Sequence, residues 1–411
     1  MLQSLARWLI LGCLCAATIS ARGDDWPQIL GPGRNGISSE KLPDHLPLGL
    51  KIKWGQPVGQ GYAGPAVAAD KLVLFHRVDG KERVAAFAAG TGEPLWTTDF
   101  PANYRGGVND DLGPRCVPLV EDGRVYVFGA AGDCHCLDLK EGTKIWSRSL
   151  AKDYDAPDGY FGAGSTPILI GGHLLVNVGG KKAGIVGLKA DTGDTAWTAT
   201  SEAASYSSPA ILLRGKEPHA LFVTRLNVVE IEPVSGKATT LLPFGKTGPT
   251  VNAAAPLVID SQVFLTASYG IGAALIDVQG SKPKKVWAND NTLSSQYSTP
   301  VARDGYLYGI HGREDSGAAH LRCVELKTGA VMWSQENFGV AHPILAGDKL
   351  LLLTIDGELV LVEASPKAYR ELGRAPLGKG TTRALPALAD GHFYCRSNDT
   401  LLCLKIADEA K

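Results

Sequence analysis

The chain has 411 residues, 45% of them hydrophobic and 20% charged, which excludes a disordered polymer. Lys and Arg number 41 against 42 Asp and Glu, and the formal net charge of -1 excludes the broad basic footprint of a nucleic-acid binder. With 49 Gly, 24 Pro and only 2 Met, the composition favours tight turns over a helical bundle.

The N-terminus carries an export pattern. Arg7 precedes an apolar run from Trp8 to Ala17, and Ala21-Arg22-Gly23 sets small residues at the -3 and -1 positions of a cut before Asp24. A cut after Ser20 suits the same pattern. The run is short for a bilayer span, and Cys13 sits early in it for lipid attachment. We expect a signal peptide over 1–23 and a soluble exported protein, periplasmic, cell-envelope or secreted, with no later transmembrane segment. Residues 24–50 open with the Gly/Pro-rich Asp24 to Gly36 and are expected to form an extended arm packed on the body.

Lys51 to Trp54 reads as a lone strand. Repeats follow. Pro65, Pro118, Pro167, Pro209, Pro256, Pro300, Pro343 and Pro386 each open a unit, at intervals of 42 to 53 residues. Behind each comes an apolar run, a turn such as Glu121-Asp122-Gly123, and a strong β run such as RVYVFG or YLYGIH. Four units then carry one phrase: Ala86 to Trp96, Cys136 to Trp146, Gly187 to Trp197 and Cys323 to Trp333 each set Gly four residues before Trp. The fourth unit lacks that Trp near Leu241-Leu242.

A period of roughly 40–50 residues with several strands per unit is the signature of propeller blades. The last unit, Pro386 to Ile406, holds three strands, and Lys51 to Trp54 supplies a fourth. We expect an all-β, eight-bladed β-propeller over 51–406, closed by that N-terminal strand, with a tail at 407–411. Seven blades plus a broken unit is the alternative. The tryptophans are expected to fill the widening gap between blades, with Cys136, Cys323 and Cys403 as small buried residues beneath them. Cys134 and Cys136 share one strand face, against a direct bond. A Cys395–Cys403 bond across the Ser397 to Thr400 turn is geometrically conceivable.

The repeated phrase, best at Cys136 to Trp146, Gly187 to Trp197 and Cys323 to Trp333, resembles the tryptophan-docking repeat of the pyrroloquinoline quinone (PQQ)-type β-propellers. The Trp26 to Gly36 leader is similar to the N-terminal arm of exported members. The resemblance implies one of two functions. One branch comprises quinoprotein alcohol and sugar dehydrogenases holding PQQ and Ca²⁺ in the ring centre. The other is non-enzymatic and includes the propeller lipoprotein of the outer-membrane β-barrel assembly machinery. The dehydrogenase marks are missing: there is no Cys-Cys pair and no Cys-x-x-Cys-His. No Ca²⁺ cage assembles from the spacing of Asp110, Asp111, Asp133, Asp155, Asp158, Glu314 and Asp315, so no cofactor is expected unless the quinoprotein reading holds.

Position then selects the candidate site. Loops before each unit-opening Pro ring the funnel, placing Arg115, Tyr206, Asn252, Tyr297, His342 and Arg383 there. The loops between second and third strands add His76, Arg77, Arg225, Tyr269, His311 and Arg313. The insertions Asn103 to Gly113 and Asp153 to Phe161 lie above. Such residues suit a docking face for an envelope protein, or a pocket for a small acidic ligand; a solvated channel mouth would use the same groups. The leading expectation is a monomeric envelope binding or scaffold protein. The alternative is a PQQ- and Ca²⁺-dependent oxidoreductase acting on alcohols or sugars, and a sugar-binding or hydrolase-associated module is a third reading.

Overall fold

Each repeat becomes one twisted antiparallel sheet, because its β-branched and aromatic runs are cut to strand length by Asp-Gly and Thr-Gly turns. The computed structural model describes residues 25–406 apart from 48, 249, 281 and 379. The expected signal peptide and C-terminal tail lie outside the described residues.

Eight sheets form the blades. Blade 1 runs Ala66–Ala68, Lys71–Val78, Lys81–Ala88 and Pro94–Pro101 from the axis outward, and blades 2 to 7 repeat that order. Blade 8 holds Ala387–Ala389, His392–Arg396 and Thr400–Lys405, and its outer strand is Ile52–Pro57 from the front of the chain. The closing pair is antiparallel, with Trp54 opposite Cys403 and Pro57 opposite Thr400. Joining both chain ends in one sheet leaves no open seam in the ring. Among the described residues the one helix is the short Leu150–Tyr154.

The seams explain the repeat phrase. Trp96, Trp146, Trp197, Trp333 and Trp54 stand opposite Ala86, Cys136, Gly187, Cys323 and Cys403, so a small residue makes room for these five indoles, while Trp287 stands opposite Leu275. Each indole then reaches across to the next blade. Trp54 Nε1 donates to Ala89 O at 2.9 Å, Trp146 Nε1 to Ala190 O at 3.0 Å and Trp287 Nε1 to Leu326 O at 2.8 Å. The turn glycine of that next blade lies under the ring. Gly92 has φ 74, and a Cβ there would sit 2.5 Å from the Trp54 indole, so backbone conformation and close approach both require glycine.

Two seams lack a tryptophan. Between blades 4 and 5, the Arg214 guanidinium donates to Val278 O, the acceptor position an indole uses elsewhere, and Glu230 grips its other edge. In blade 7 the position opposite Leu361 is Gly373, and Leu46 of the N-terminal arm packs over it.

The arm does more than cover a seam. Trp26 bridges Val67, Pro27 O accepts from Val120 N at 2.8 Å, and Ile37–Ser38 pairs in parallel with Leu345 and Ala346. Those contacts fall two residues beyond Pro65, Pro118 and Pro343, so the arm crosses the ring from blade 1 to blade 7 below the funnel. At its centre Arg34, 2% exposed, donates to Thr166 O, Pro167 O and Pro209 O at 3.1, 3.0 and 2.7 Å. Burial lowers its pKa to about 9, yet the guanidinium stays charged at neutral pH.

All six cysteines among the described residues are buried free thiols. Cys395 faces Leu402 and Cys403 faces Tyr394 across the hairpin. Their side chains therefore lie on opposite sheet faces, and the conceivable Cys395–Cys403 bond is not formed.

Candidate functional site

Strand periodicity builds the funnel. Near the axis the chain is extended, so positions one and three residues before each opening Pro point inward. The third positions are Tyr62, Arg115, Gly164, Tyr206, Ala253, Tyr297, Val340 and Arg383. All but Val340 line a central cavity of about 460 Å³. Ser208, Ala255, Thr299, His342 and Leu385 line it from the first positions, with Ile29 of the arm among the walls.

Charge in this cavity is neutralised from within. Arg383 Nε donates to Glu314 Oε2 at 3.0 Å, and a second guanidinium nitrogen holds the other carboxylate oxygen. Tyr297 Oη donates to the same carboxylate at 2.9 Å. These partners hold the Glu314 pKa down against the opposing effect of its burial. Arg115 donates to Asp111 Oδ1 at 3.1 Å and Asp111 O at 2.7 Å. The Arg115 and Arg383 guanidinium carbons lie 4.9 and 5.5 Å from the centre of the Tyr62 ring, so one aromatic ring serves both cations. His342 donates from Nε2 to Arg383 O at 2.9 Å if protonated there. Burial lowers its pKa to about 4 and keeps it neutral.

The other expected site residues divide. Tyr269 lines the central cavity, its Oη bound by Gln296 Nε2 at 2.9 Å. Arg313 lies 4.4 Å from the centre of the Tyr269 ring and donates to Asp315 Oδ1 at 2.8 Å, outside the lining. Arg225 and Asn252 face a neighbouring off-axis cavity rather than the axis. Asn252 stands four residues before Pro256, and the inward position is Ala253. His76, Arg77 and His311 line neither cavity. His76 Nδ1 accepts from Gly59 N at 2.9 Å, and His311 Nδ1 from Ser294 N at 3.0 Å. Arg77 donates to Tyr104 O and Leu112 O at 2.9 and 3.2 Å, anchoring the first insertion. Tyr62 was missed, although it holds the same offset from Pro65 as Arg115 from Pro118.

The insertions 103–113 and 153–161 meet over the funnel. Val108 N donates to Tyr160 O at 3.1 Å, and Tyr104 Oη donates to the same oxygen at 3.3 Å. Val108 and Tyr160 are 69% and 47% exposed. The lip thus presents apolar side chains to solvent on a fixed platform.

A PQQ–Ca²⁺ pair would need roughly six to eight oxygen ligands around the cation. The two carboxylates lining the central cavity are Glu314, held by Arg383 and Tyr297, and Asp315, held by Arg313. Among the described residues no three His, Cys, Asp or Glu side chains group to hold a metal. The residues present do not fit that group. No helix of the described residues is long and apolar enough to cross a membrane.

A family model described as outer membrane protein assembly factor BamB matches residues 80–335. Outer membrane protein assembly factor BamB of Escherichia coli is 24% identical over 282 residues, covering 64% of this chain and 69% of that protein. The crystal structure of BamB from Moraxella catarrhalis superposes with a TM-score of 0.65 at 15% identity, covering 89% of this chain and 100% of that one. Quinohemoprotein alcohol dehydrogenase from Comamonas testosteroni gives a TM-score of 0.72 at 15% identity, covering 95% and 82%. At those identities the two structures speak for the propeller alone.

Proposed function

Because the chain belongs to the outer membrane protein assembly factor BamB family, we propose that it is an exported binding or scaffold protein of the cell envelope that docks an assembly protein on its funnel face. The observation that carries this reading is the joined lip. Val108 and Tyr160 stand exposed on two insertions tied together above an aromatic cavity. Exposed apolar groups with a polar surround are what a protein partner covers. The internal pairing of Arg115 and Arg383 favours such contact over capture of a small acidic ligand, since an incoming anion would have to displace Asp111 and Glu314.

The test is co-purification from envelope membranes with the tagged chain. Recovery of outer-membrane assembly proteins, lost in the Val108→Asp/Tyr160→Asp double variant, supports the reading. Incubation with PQQ and Ca²⁺, followed by dye reduction with alcohols or sugars, tests the quinoprotein alternative. Turnover there would overturn the scaffold assignment.

A further inference from the structure

Beside the funnel, beneath the loop that follows Leu150–Tyr154, lies the off-axis cavity of about 360 Å³ between blades 2, 3 and 4. Glycine and alanine make much of its wall, which leaves room and puts backbone close to any occupant. Asn177 and Asn252 line it and are 2% and 1% exposed.

Their hydrogen bonding is incomplete. Neither Oδ1 nor Nδ2 of Asn177 has a hydrogen-bond partner among the described residues. Asn252 is fixed by donating from Nδ2 to Phe244 O and Thr224 O at 3.1 and 3.2 Å, and its Oδ1 is left without a partner. A buried amide left so is costly. The cavity therefore offers one donor beside one acceptor, and a further acceptor on the neighbouring blade. Arg225 and Asp158 both line it, so neither sign of charge prevails. Tyr206 adds a ring fixed in place, because its Oη accepts from Phe161 N at 2.9 Å.

We propose that this cavity is a second binding site, for a small neutral polyhydroxylated molecule of the sugar type. Adjacent hydroxyls present a donor and an acceptor side by side, the complement of the Asn177 amide edge. A third hydroxyl donates to Asn252 Oδ1, and the C–H face of the ring lies on Tyr206. An apolar ligand leaves Asn177 unpaired, and with Arg225 and Asp158 both in the lining neither an anion nor a cation is favoured over a neutral molecule. The volume is at the lower end of the roughly 300–1,000 Å³ common for ligand pockets, which limits the occupant to one or two rings. The site does not depend on the docking role of the funnel.

Saturation-transfer NMR on the full chain tests it, with D-glucose, N-acetyl-D-glucosamine and maltose as probes and propionamide as a plain amide. Transfer to sugar ring protons is expected, falling at least tenfold in Asn177→Leu while the thermal midpoint holds or rises. Asn177→Asp, which keeps the acceptor and loses the donor, is expected to weaken binding by a similar factor. Transfer to none of the sugars, to propionamide alone, or equally in folded variants would overturn the proposal. Should both variants fail to fold, a co-crystal of the unaltered chain decides: sugar against Asn177 supports it, and sugar absent or elsewhere refutes it.

Discussion

His76, His135, His311 and His342 are each held neutral by burial, with pKa values lowered from 6.5 to about 4. Above about pH 6.5 both the folded and unfolded chains carry neutral imidazoles, and the contribution of these groups is fully present. As pH falls through the window from 6.5 to 4, the unfolded chain takes up protons that the folded chain refuses, and stability drops. Glu82 works the other way. It is 2% exposed, accepts from Ala130 N at 2.8 Å, and burial raises its pKa from 4.5 to about 7. Its contribution is present below pH 4.5 and lost as pH rises through 7. Between these limits four histidines oppose one carboxyl, so the urea midpoint is expected to fall on acidification from pH 7 to pH 5. Glu82→Gln keeps the acceptor for Ala130 and removes the titration. It is expected to gain on the order of 3 kcal/mol over the parent at pH 8, and nothing at pH 4. A midpoint flat across this range would contradict these assignments.

At the scale of elements, seams and arm carry the stability. Trp146→Ala opens a cavity between blades 2 and 3, while Arg124 and Tyr126 still donate to Ala190 O, and it is expected to cost about 3–5 kcal/mol. Arg214→Ala is expected to cost about 1–3 kcal/mol, since it removes the side-chain donor to Val278 O and leaves the Glu230 carboxylate with His219 alone as its side-chain partner. Arg34→Ala removes the donor to three carbonyls just before the inner strands of blades 3 and 4, at about 1–3 kcal/mol for each. Chemical denaturation of the three variants checks the order: Arg214→Ala mildest, the other two comparable. The tryptophan seams were legible because Gly and Trp recur at fixed spacing. Arg214 was not, since its acceptor lies 64 residues on and no repeat marks it. The leader is marked in the sequence by Trp26 and its glycines. That Arg34 pins it across the ring depends on carbonyls from two later blades, which no local pattern announces.

For the whole molecule, the eight prolines and the three-stranded last unit were enough to read an eight-bladed ring closed by the N-terminal strand. The site was less legible. Of the residues just before the opening prolines, Arg115, Tyr206, Tyr297 and Arg383 share one offset, and that offset holds Tyr62 as well. One residue of drift placed Asn252 on the axis instead of Ala253. The pairing of Arg383 with Glu314 joins residues 69 positions apart, so the neutral character of the funnel could not be read in advance. The arm crosses the lower face of the ring and the upper face bears exposed Val108 and Tyr160, which is the side on which the proposed docking takes place. The direct test replaces Tyr160 with a photo-crosslinking phenylalanine, and Met332 on the outer strand Val331–Gln335 as the comparison. Irradiation in intact envelopes is expected to join an outer-membrane assembly protein to position 160 and not to position 332. Crosslinks from 332 alone, or from neither position, would contradict docking through the funnel face.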